Sequence, residues 1–297
     1  MKEKKLEKII AIVGPTGSGK TALAKFLSLK YNGTLISVDS RQVYRGMDVG
    51  TGKDKTFPQE LIDIKDPSEN YSVADFQQMA KEVTQKILKT GKMPIFVGGT
   101  GLYFEAFLYD YKIPDLKEES LKLRLELEKL SDEDLSQKLK ELDPDSSETI
   151  DPKNRRRIIR ALEYTILNDQ PFSAQQKRGK PVYKALILGI DLPRETLYAK
   201  IDARVDQMKK DGLVEEVRQL ISKYPYDLPS LNTIGYKEII EYLQGHLSLP
   251  DAIQKIKYAT HAYARRQMTW FKRDKNIKWI QKQEEADKLV NNFLKTK

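Results

Sequence analysis

The chain has 297 residues, 39% of them hydrophobic and 32% charged, with a formal net charge of +9. That is enough apolar material for one large core or a core with an insertion, and the basic excess points to a polyanionic partner such as nucleic acid. With no cysteine, and with His246 and His261 as the only imidazoles, disulfides, thiolate nucleophiles and cysteine-based zinc sites are excluded, and a protein-built transition-metal site is argued against.

The opening MKEKKLEKIIAIVG is too charged, and its apolar run too short, for a secretory leader. No stretch approaches the ~20 apolar residues of a membrane span, so a cytoplasmic protein without membrane attachment is expected. IIAIV (9–13) is a β-branched run that stops at a glycine, and the helix formers TALAKFLSLK follow the loop GPTGSGKT, giving strand, glycine-rich loop, helix. TLISV ends at Asp39 as a second strand. MPIFV ends at Gly98-Gly99-Thr100-Gly101 as a third, after a helix opened by the cap pattern Ser72-x-x-Asp75. Alternating strands and helices predict an α/β fold, a P-loop doubly wound parallel sheet flanked by helices.

From Ile113 to Pro181 the pattern turns to charged, leucine-spaced helical sequence, LKEESLKLRLELEKL and then NRRRIIRALEYTIL, predicting an inserted all-helical domain over 113–181 within a core of 1–112 and 182–297. YKALILGIDL returns as a buried strand. Helices are predicted in ETLYAKIDARVDQMKKDG, closed by Gly212 as a C-cap, in LVEEVRQLISKY and in GYKEIIEYLQG. A long one runs from about Pro250 to Phe271, opened by Ser248-x-x-Asp251. The last dozen residues read as a fraying tail.

The loop from Gly14 to Thr21 carries the first chemistry. Gly14, Gly17 and Gly19 let backbone N–H groups turn toward an anion at a helix N-terminus, Lys20 adds a full charge, and the Thr21 hydroxyl suits Mg²⁺. Two linked phosphates satisfy this pattern, with Thr16 and Ser18 completing the diphosphate loop. Ligands of such sheets gather at the carboxyl ends of the strands, so Asp39, Thr100 and the loop are expected to converge. Asp39 is expected to accept a proton from a nucleophile, with a turn or helix-cap aspartate as the alternative, and Gln42 to bond an adenine edge. Lys53 adds a second cation over the phosphates or is a solvated lysine, and Thr100 offers its hydroxyl to the same crevice or belongs to a tight strand-to-helix turn. No acidic pair ends the strand at 93–97, which argues against a hydrolysing motor ATPase. Two arginine segments remain: Arg155, Arg156, Arg157 and Arg160 opening one helix, and YARRQMTWFKR, where Arg265, Arg266, Lys272 and Arg273 surround Trp270 and Phe271. Cations mixed with stacking aromatics suit single-stranded RNA. A small-metabolite kinase, a prenyltransferase of free adenine nucleotides and a nucleic-acid-binding NTPase stand as alternatives at this level.

The motifs GPTGSGKT, DSRQVYRGMDVGTGK, LIDIKDPSENYSVADF, VGGTGLY, RRIIRALE, YAKIDARVDQM, IGYKEI and RRQMTWFKR, in this order over nearly the whole chain, resemble the bacterial tRNA dimethylallyltransferases. The resemblance implies transfer of a dimethylallyl group from dimethylallyl diphosphate to N6 of the adenosine immediately 3′ of the anticodon, with Mg²⁺ helping to neutralise the leaving diphosphate. It implies Asp39 as acceptor of the N6 proton, Thr100 near the reacting groups and Arg204 as a cation on the diphosphate, although Asp202 and Asp206 offer Arg204 a surface ion pair. It implies contacts to the tRNA anticodon stem-loop at Asp39, Ser40, Arg41, Gln42 and Thr100, and at Lys122 or Arg124. Further contacts are implied at Arg156, Arg157 and Arg160, at Gly235, Tyr236 and Lys237, and at Arg265, Arg266, Gln267, Trp270 and Lys272. A monomer is expected. The sequence departs from the family pattern at Gly17 and Gly52, where alanine is frequent, and at Gln59 and Glu60, which replace a common histidine pair.

Overall fold

The computed structural model of the chain describes residues 6–113, 118–175 and 179–296. In chain order the elements are β1 (Lys8–Val13), α1 (Lys20–Lys30), β2 (Gly33–Val38), β3 (Gln59–Glu60), α2 (Val73–Lys89), β4 (Met93–Gly98) and α3 (Gly101–Leu108). Then come α4 (Glu118–Leu127), α5 (Asp132–Leu142), α6 (Pro144–Thr149), α7 (Arg155–Asn168) and α8 (Phe172–Gln175). The chain continues through β5 (Lys184–Ile190), α9 (Arg194–Lys210), α10 (Leu213–Lys223), α11 (Tyr236–Leu243), α12 (Leu249–Phe271), β6 (Lys278–Ile280) and α13 (Gln283–Lys295). Residues 1–5 of the charged opening, and 116–117 of the first charged helical stretch, lie outside the described residues.

Two compact units divide the chain: Met1–Leu108 with Pro181–Lys297, and Tyr109–Lys180. In the first, six strands form one sheet in the order β3-β2-β4-β1-β5-β6, every neighbouring pair parallel. The near-continuous apolar runs of β1 and β4 are what a strand covered on both faces requires. Ile10, Ile12, Leu35, Ile95 and Leu188 pack with Leu27 of α1 in its core. Register then does the positioning. Val13 pairs with Gly98 and Val38 pairs with Gly98, so the residues that follow, Gly14, Asp39 and Gly99, leave the sheet together at its carboxyl edge. The capping box of Ser72 and Asp75 is present at the start of α2, and Ser248 caps α12 by accepting from the Asp251 amide.

The second unit is helical throughout its described residues. Leu127, Leu135, Leu139, Ile158, Ile159 and Leu162 form its core, and the side chains of Ser131, Asp143 and Asn154 cap α5, α6 and α7.

Two expectations need correction, and one holds. The C-terminal segment is no fraying tail: it forms α13, whose Ala286 and Val290 are buried in the sheet core. Gly212 closes α9 as expected, in the left-handed conformation (φ 95°) directly after the C-cap Asp211, and it also opens α10. Two short edge strands, β3 and β6, were not expected. Among the described residues no helix is long and apolar enough to cross a membrane.

Candidate active site

The glycine-rich loop joins β1 to α1 with Gly14, Gly17 and Gly19 at φ 145°, 78° and 91°, conformations that side-chain-bearing residues resist. Gly19 starts α1 with no side-chain cap, so the first helical N–H groups face outward with the positive end of the helix dipole. Ser18 Oγ is buried without a hydrogen-bond partner, a polar atom left over in a loop shaped for an anion. Beyond the loop lies a cavity of about 400 Å³, entirely within the first unit, lined by Lys20, Thr21, Asp39, Gly98, Gly99 and Arg204 among others.

Lys20, Arg41 and Arg204 line this cavity without a carboxylate salt bridge among the described residues, and burial acts most on Lys20 and Arg204. Lys20 Nζ donates to the carbonyl of Pro15 at 2.6 Å. Burial pushes its pKa down to about 7, the Arg204 charge adds to the lowering, and Asp39 offsets part of it. Arg204 Nη2 donates to the carbonyls of Thr51 and Gly52, each at 3.3 Å. Burial lowers the Arg204 pKa as well, with Asp39 opposing. The ion pairs open to Arg204 in the sequence do not form: Asp202 Oδ1 lies 2.8 Å from His261 Nε2, and Asp206 pairs with Lys257. Helix geometry decides this, because residues two apart point to different sides. Arg204 shares the inward stripe of α9 with Ile201, Val205 and Met208, all three on the cavity wall. Among the described residues the guanidinium is held by two carbonyls and no carboxylate, so its charge is not neutralised within the fold.

Asp39 ends β2 in a tight turn, its Oδ1 accepting from the amides of Arg41 at 2.8 Å and Gln42 at 3.2 Å. Oδ2 carries no hydrogen bond from the described residues and is left for a ligand. The Gln42 carboxamide accepts from Ser37 Oγ and donates to the Thr51 carbonyl, both at 3.3 Å. Ser40, Arg41 and Gln42 line the cavity, as do Gly235 and Lys237. Thr100 adjoins it without lining it: its amide donates to the Val38 carbonyl, and its own carbonyl receives the amides of Tyr103 and Phe104.

Lys53, expected over the phosphates, does not line the cavity. Its side chain is 0% exposed, and its ammonium donates to Asp48 Oδ1, Asp63 Oδ1 and the Tyr44 carbonyl at 2.7, 2.6 and 2.8 Å, using all three protons in the fold. Glu216, which sequence reading missed, holds the same segment. Its carboxylate accepts the amides of Asp48, Val49 and Gly50 and the hydroxyl of Tyr236. Tyr236 is thus 0% exposed and has no surface to offer RNA, which corrects its placement among the contacts. These bonds fix the loop whose carbonyls receive Arg204.

Residues 42–274 match the IPP transferase family and residues 7–65 the isopentenyl transferases. The chain belongs to the IPP transferase family. It is 40% identical to the tRNA dimethylallyltransferase of Anoxybacillus flavithermus, over 97% of this chain and 95% of the other. Among solved structures, the full-length tRNA isopentenylpyrophosphate transferase of Bacillus halodurans matches with TM-score 0.74 at 38% identity, covering 97% of each chain. A eukaryotic dimethylallyltransferase acting on tRNA matches with TM-score 0.73 at 28% identity, covering 89% of this chain and 69% of the other.

In this IPP transferase, α12 presents two faces. Arg265, Arg266 and Lys272 are exposed, Arg265 bonding the Tyr198 hydroxyl at 2.8 Å and Arg266 standing over the Tyr263 ring. Trp270 is half-buried against Gly101, with Arg273 over its ring. Gln267 faces inward. It accepts the Thr16 amide at 2.9 Å and donates to the Gly99 carbonyl at 3.0 Å, so the Thr16 amide is unavailable to a phosphate and the Gln267 carboxamide is unavailable to RNA. Tyr263, also unforeseen, lines the cavity.

The second unit separates its arginines by role. Arg155 bonds Asp132 and the carbonyls of Glu128 and Leu130, which explains a cation at a helix start where the dipole disfavours it. Arg124 and Arg160 flank Glu163, 1% exposed, at 3.6 and 3.7 Å. Arg156, Arg157 and Lys122 are exposed, with no ion-pair partner among the described residues.

Proposed function

We propose that this chain transfers the dimethylallyl group of dimethylallyl diphosphate to the exocyclic N6 of the adenosine immediately 3′ of the anticodon in tRNA. The products are N6-isopentenyladenosine and diphosphate. The observation that carries the reading is the pair of desolvated cations, Lys20 and Arg204, on the same cavity as the open Oδ2 of Asp39. Family membership and the names of the relatives support the substrates.

In the reaction, N6 attacks the allylic carbon, the bond from that carbon to the diphosphate oxygen breaks with its electron pair leaving on the diphosphate, and N6 gives up a proton to Asp39. Lys20, Arg204 and the loop amides are aimed at the charge that grows on the leaving group, which is where electrostatic stabilisation contributes most. The apolar stretch of wall at Ile201, Val205 and Met208 gives the prenyl tail a dry surface. An aryl amine is a weak nucleophile, so holding N6 against the allylic carbon matters at least as much as taking its proton. Because the base is stacked in its loop, it must be extruded to reach the cavity, with the exposed cations of α12 and Arg156 and Arg157 gripping the RNA backbone.

Mg²⁺ fits the residues present. It keeps several waters and takes one or two protein oxygens together with phosphate oxygens, and the Thr21 hydroxyl at the loop is such a donor. Among the described residues no group of three or more His, Cys, Asp or Glu side chains is placed to hold a metal ion, and the ion would be held by Thr21 together with the diphosphate oxygens, whose charge it would neutralise. The reading takes the enzyme as a cytoplasmic monomer.

The test is transfer itself. Purified protein is incubated with Mg²⁺, radiolabelled dimethylallyl diphosphate and unmodified tRNA, beside free adenine nucleotides and, separately, ATP with small hydroxyl acceptors. Label in tRNA at the adenosine 3′ of the anticodon is the expected result. Label only in free nucleotide, or phosphate transfer from ATP, overturns it.

A further inference from the structure

Gln267 joins three parts of the first unit that sequence keeps far apart. Its Oε1 takes the amide of Thr16 in the glycine-rich loop, and its Nε2 gives a hydrogen bond to Gly99 at the end of β4, while its backbone belongs to the 23-residue α12. The side chain is 6% exposed. The orientation of the carboxamide is forced, since a flipped amide would set oxygen against the Gly99 carbonyl and NH₂ against the Thr16 N–H. Room for this bridge is made by Gly99, where a β-carbon would stand 2.1 Å from Gln267 Nε2. The second glycine of the Gly98-Gly99 pair therefore exists for this contact, and not only for a strand-to-helix turn. On the same helix Arg265 and Arg266, two and one residues away, are exposed to solvent.

We propose that Gln267 is a positioning residue that clamps the diphosphate loop to the RNA-facing helix, so that binding of tRNA and binding of the diphosphate strengthen each other. The proposal rests on the function argued above. Its physical content is simple. The loop N–H groups bind a diphosphate well only if they are aimed before it arrives, and the Thr16 peptide sets that aim from one end. With Thr16 tied to α12, any restraint that RNA places on α12 also restrains the loop, and by linkage the coupling acts equally in both directions. A neutral carboxamide does this without cost to the ligand. A carboxylate at the same place would leave the Gly99 carbonyl without its donor and set a negative charge beside the diphosphate.

The experiment uses the full chain and binding alone. Gln267→Met keeps the volume and removes both hydrogen bonds; Gln267→Glu keeps the acceptor and adds charge. For each, and for the wild type, the dissociation constant of inorganic pyrophosphate with Mg²⁺ is measured with and without unmodified tRNA, beside the thermal midpoint. In the wild type, tRNA is expected to tighten pyrophosphate binding. In Gln267→Met, pyrophosphate alone is expected to bind roughly fivefold more weakly or worse, the size of one lost hydrogen bond, and the tightening by tRNA is expected to fall toward none, while tRNA alone binds as before. Gln267→Glu weakens pyrophosphate further. A side chain that only packs would lower the midpoint and leave the coupling intact. Unchanged coupling in folded Gln267→Met, or no coupling in the wild type, overturns the proposal. Because no prenyl transfer is read, a wild type that couples the two ligands but fails to prenylate tRNA would sink the proposed reaction and leave this clamp standing.

Discussion

Arg204 Nη2 donates to the carbonyl of Gly52 at 3.3 Å, and a β-carbon on Gly52 would stand 1.6 Å from that same nitrogen. The guanidinium therefore rests where any other residue would place a side chain, at a backbone φ of 60° that alanine also resists. Arg204→Ala removes a charge-assisted contact worth about 1.5–3 kcal/mol, so pyrophosphate affinity is expected to fall roughly 10- to 100-fold. Gly52→Ala pushes the head group off its carbonyls without deleting it, and its loss is expected to be smaller. Calorimetry on both variants checks the order; a Gly52→Ala loss as large as that of Arg204→Ala would mean the loop backbone, and not the guanidinium, is what binds.

The two oxygens of Asp39 stand in different settings among the described residues. Oδ1 holds the amides of Arg41 and Gln42, and only Oδ2 is open. Asp39→Asn keeps an acceptor for the turn and replaces the open oxygen by NH₂, which cannot take a proton. Single-turnover transfer is expected to drop ~10²- to 10⁴-fold, the range of a lost general base, while tRNA affinity stays near wild type. Transfer at the wild-type rate would remove Asp39 from the chemistry.

The strand, loop and helix around Lys20, and Asp39 at the end of β2, are legible in sequence because each is local: an apolar run stops and a polar or glycine residue follows. The difference between Lys53 and Arg204 is not local. Lys53 is neutralised by Asp48 and Asp63, five and ten residues away, whereas Arg204 avoids its own neighbours because they lie off its face. A helical projection of α9 carries that second fact, since a lone arginine stands in an otherwise apolar stripe of Ile201, Val205 and Met208. The edge strand β6 is three residues long, too short for any periodicity, yet Ala286, Leu289, Val290 and Phe293 in α13 repeat at helical spacing and mark a packed helix. Glu216 had no signal at all, because its partners are backbone amides more than 160 residues earlier.

Lys20 carries a measurable conflict between function and stability. In the unfolded chain lysine keeps its proton to about 10, and in the fold Lys20 keeps it only to about 7. Between those values the unfolded state binds more protons, so this group makes stability rise with pH across that window; below about 7 the full cost of burying the charge is present. Lys20→Met is therefore expected to raise the thermal midpoint of the ligand-free protein at pH 7, by roughly 2–4 °C for each kcal/mol recovered, and to abolish pyrophosphate binding. The gain should shrink as pH approaches 10. A variant less stable than wild type at pH 7 contradicts the assignment.

Glu216 gathers three backbone amides and the Tyr236 hydroxyl. Glu216→Ala leaves all four donors without their partner, each worth about 1–3 kcal/mol where water cannot replace it. A loss of several kcal/mol in denaturant unfolding is expected. Because the amides belong to the segment that presents the Thr51 and Gly52 carbonyls to Arg204, the KM for dimethylallyl diphosphate should rise while tRNA affinity changes little. A fall in stability with an unchanged donor KM would detach this loop from the site.

Arg155, Arg156 and Arg157 are consecutive, yet the structure gives them different work. Arg155 ties α7 to Asp132 and to the carbonyls of Glu128 and Leu130, so Arg155→Ala is expected to loosen the helical unit. Arg156 and Arg157 have no ion-pair partner among the described residues, and replacing both by alanine should leave the thermal midpoint unchanged. If each neutralises one RNA phosphate, the double variant reduces the slope of log affinity against log salt by about 1.4–1.8, at 0.7–0.9 per contact. Filter binding over a salt series reads this directly. Weaker binding with an unaltered slope would show that the two arginines act by shaping the helix and not by meeting phosphates. An unaltered affinity would take the face of α7 out of the RNA path altogether.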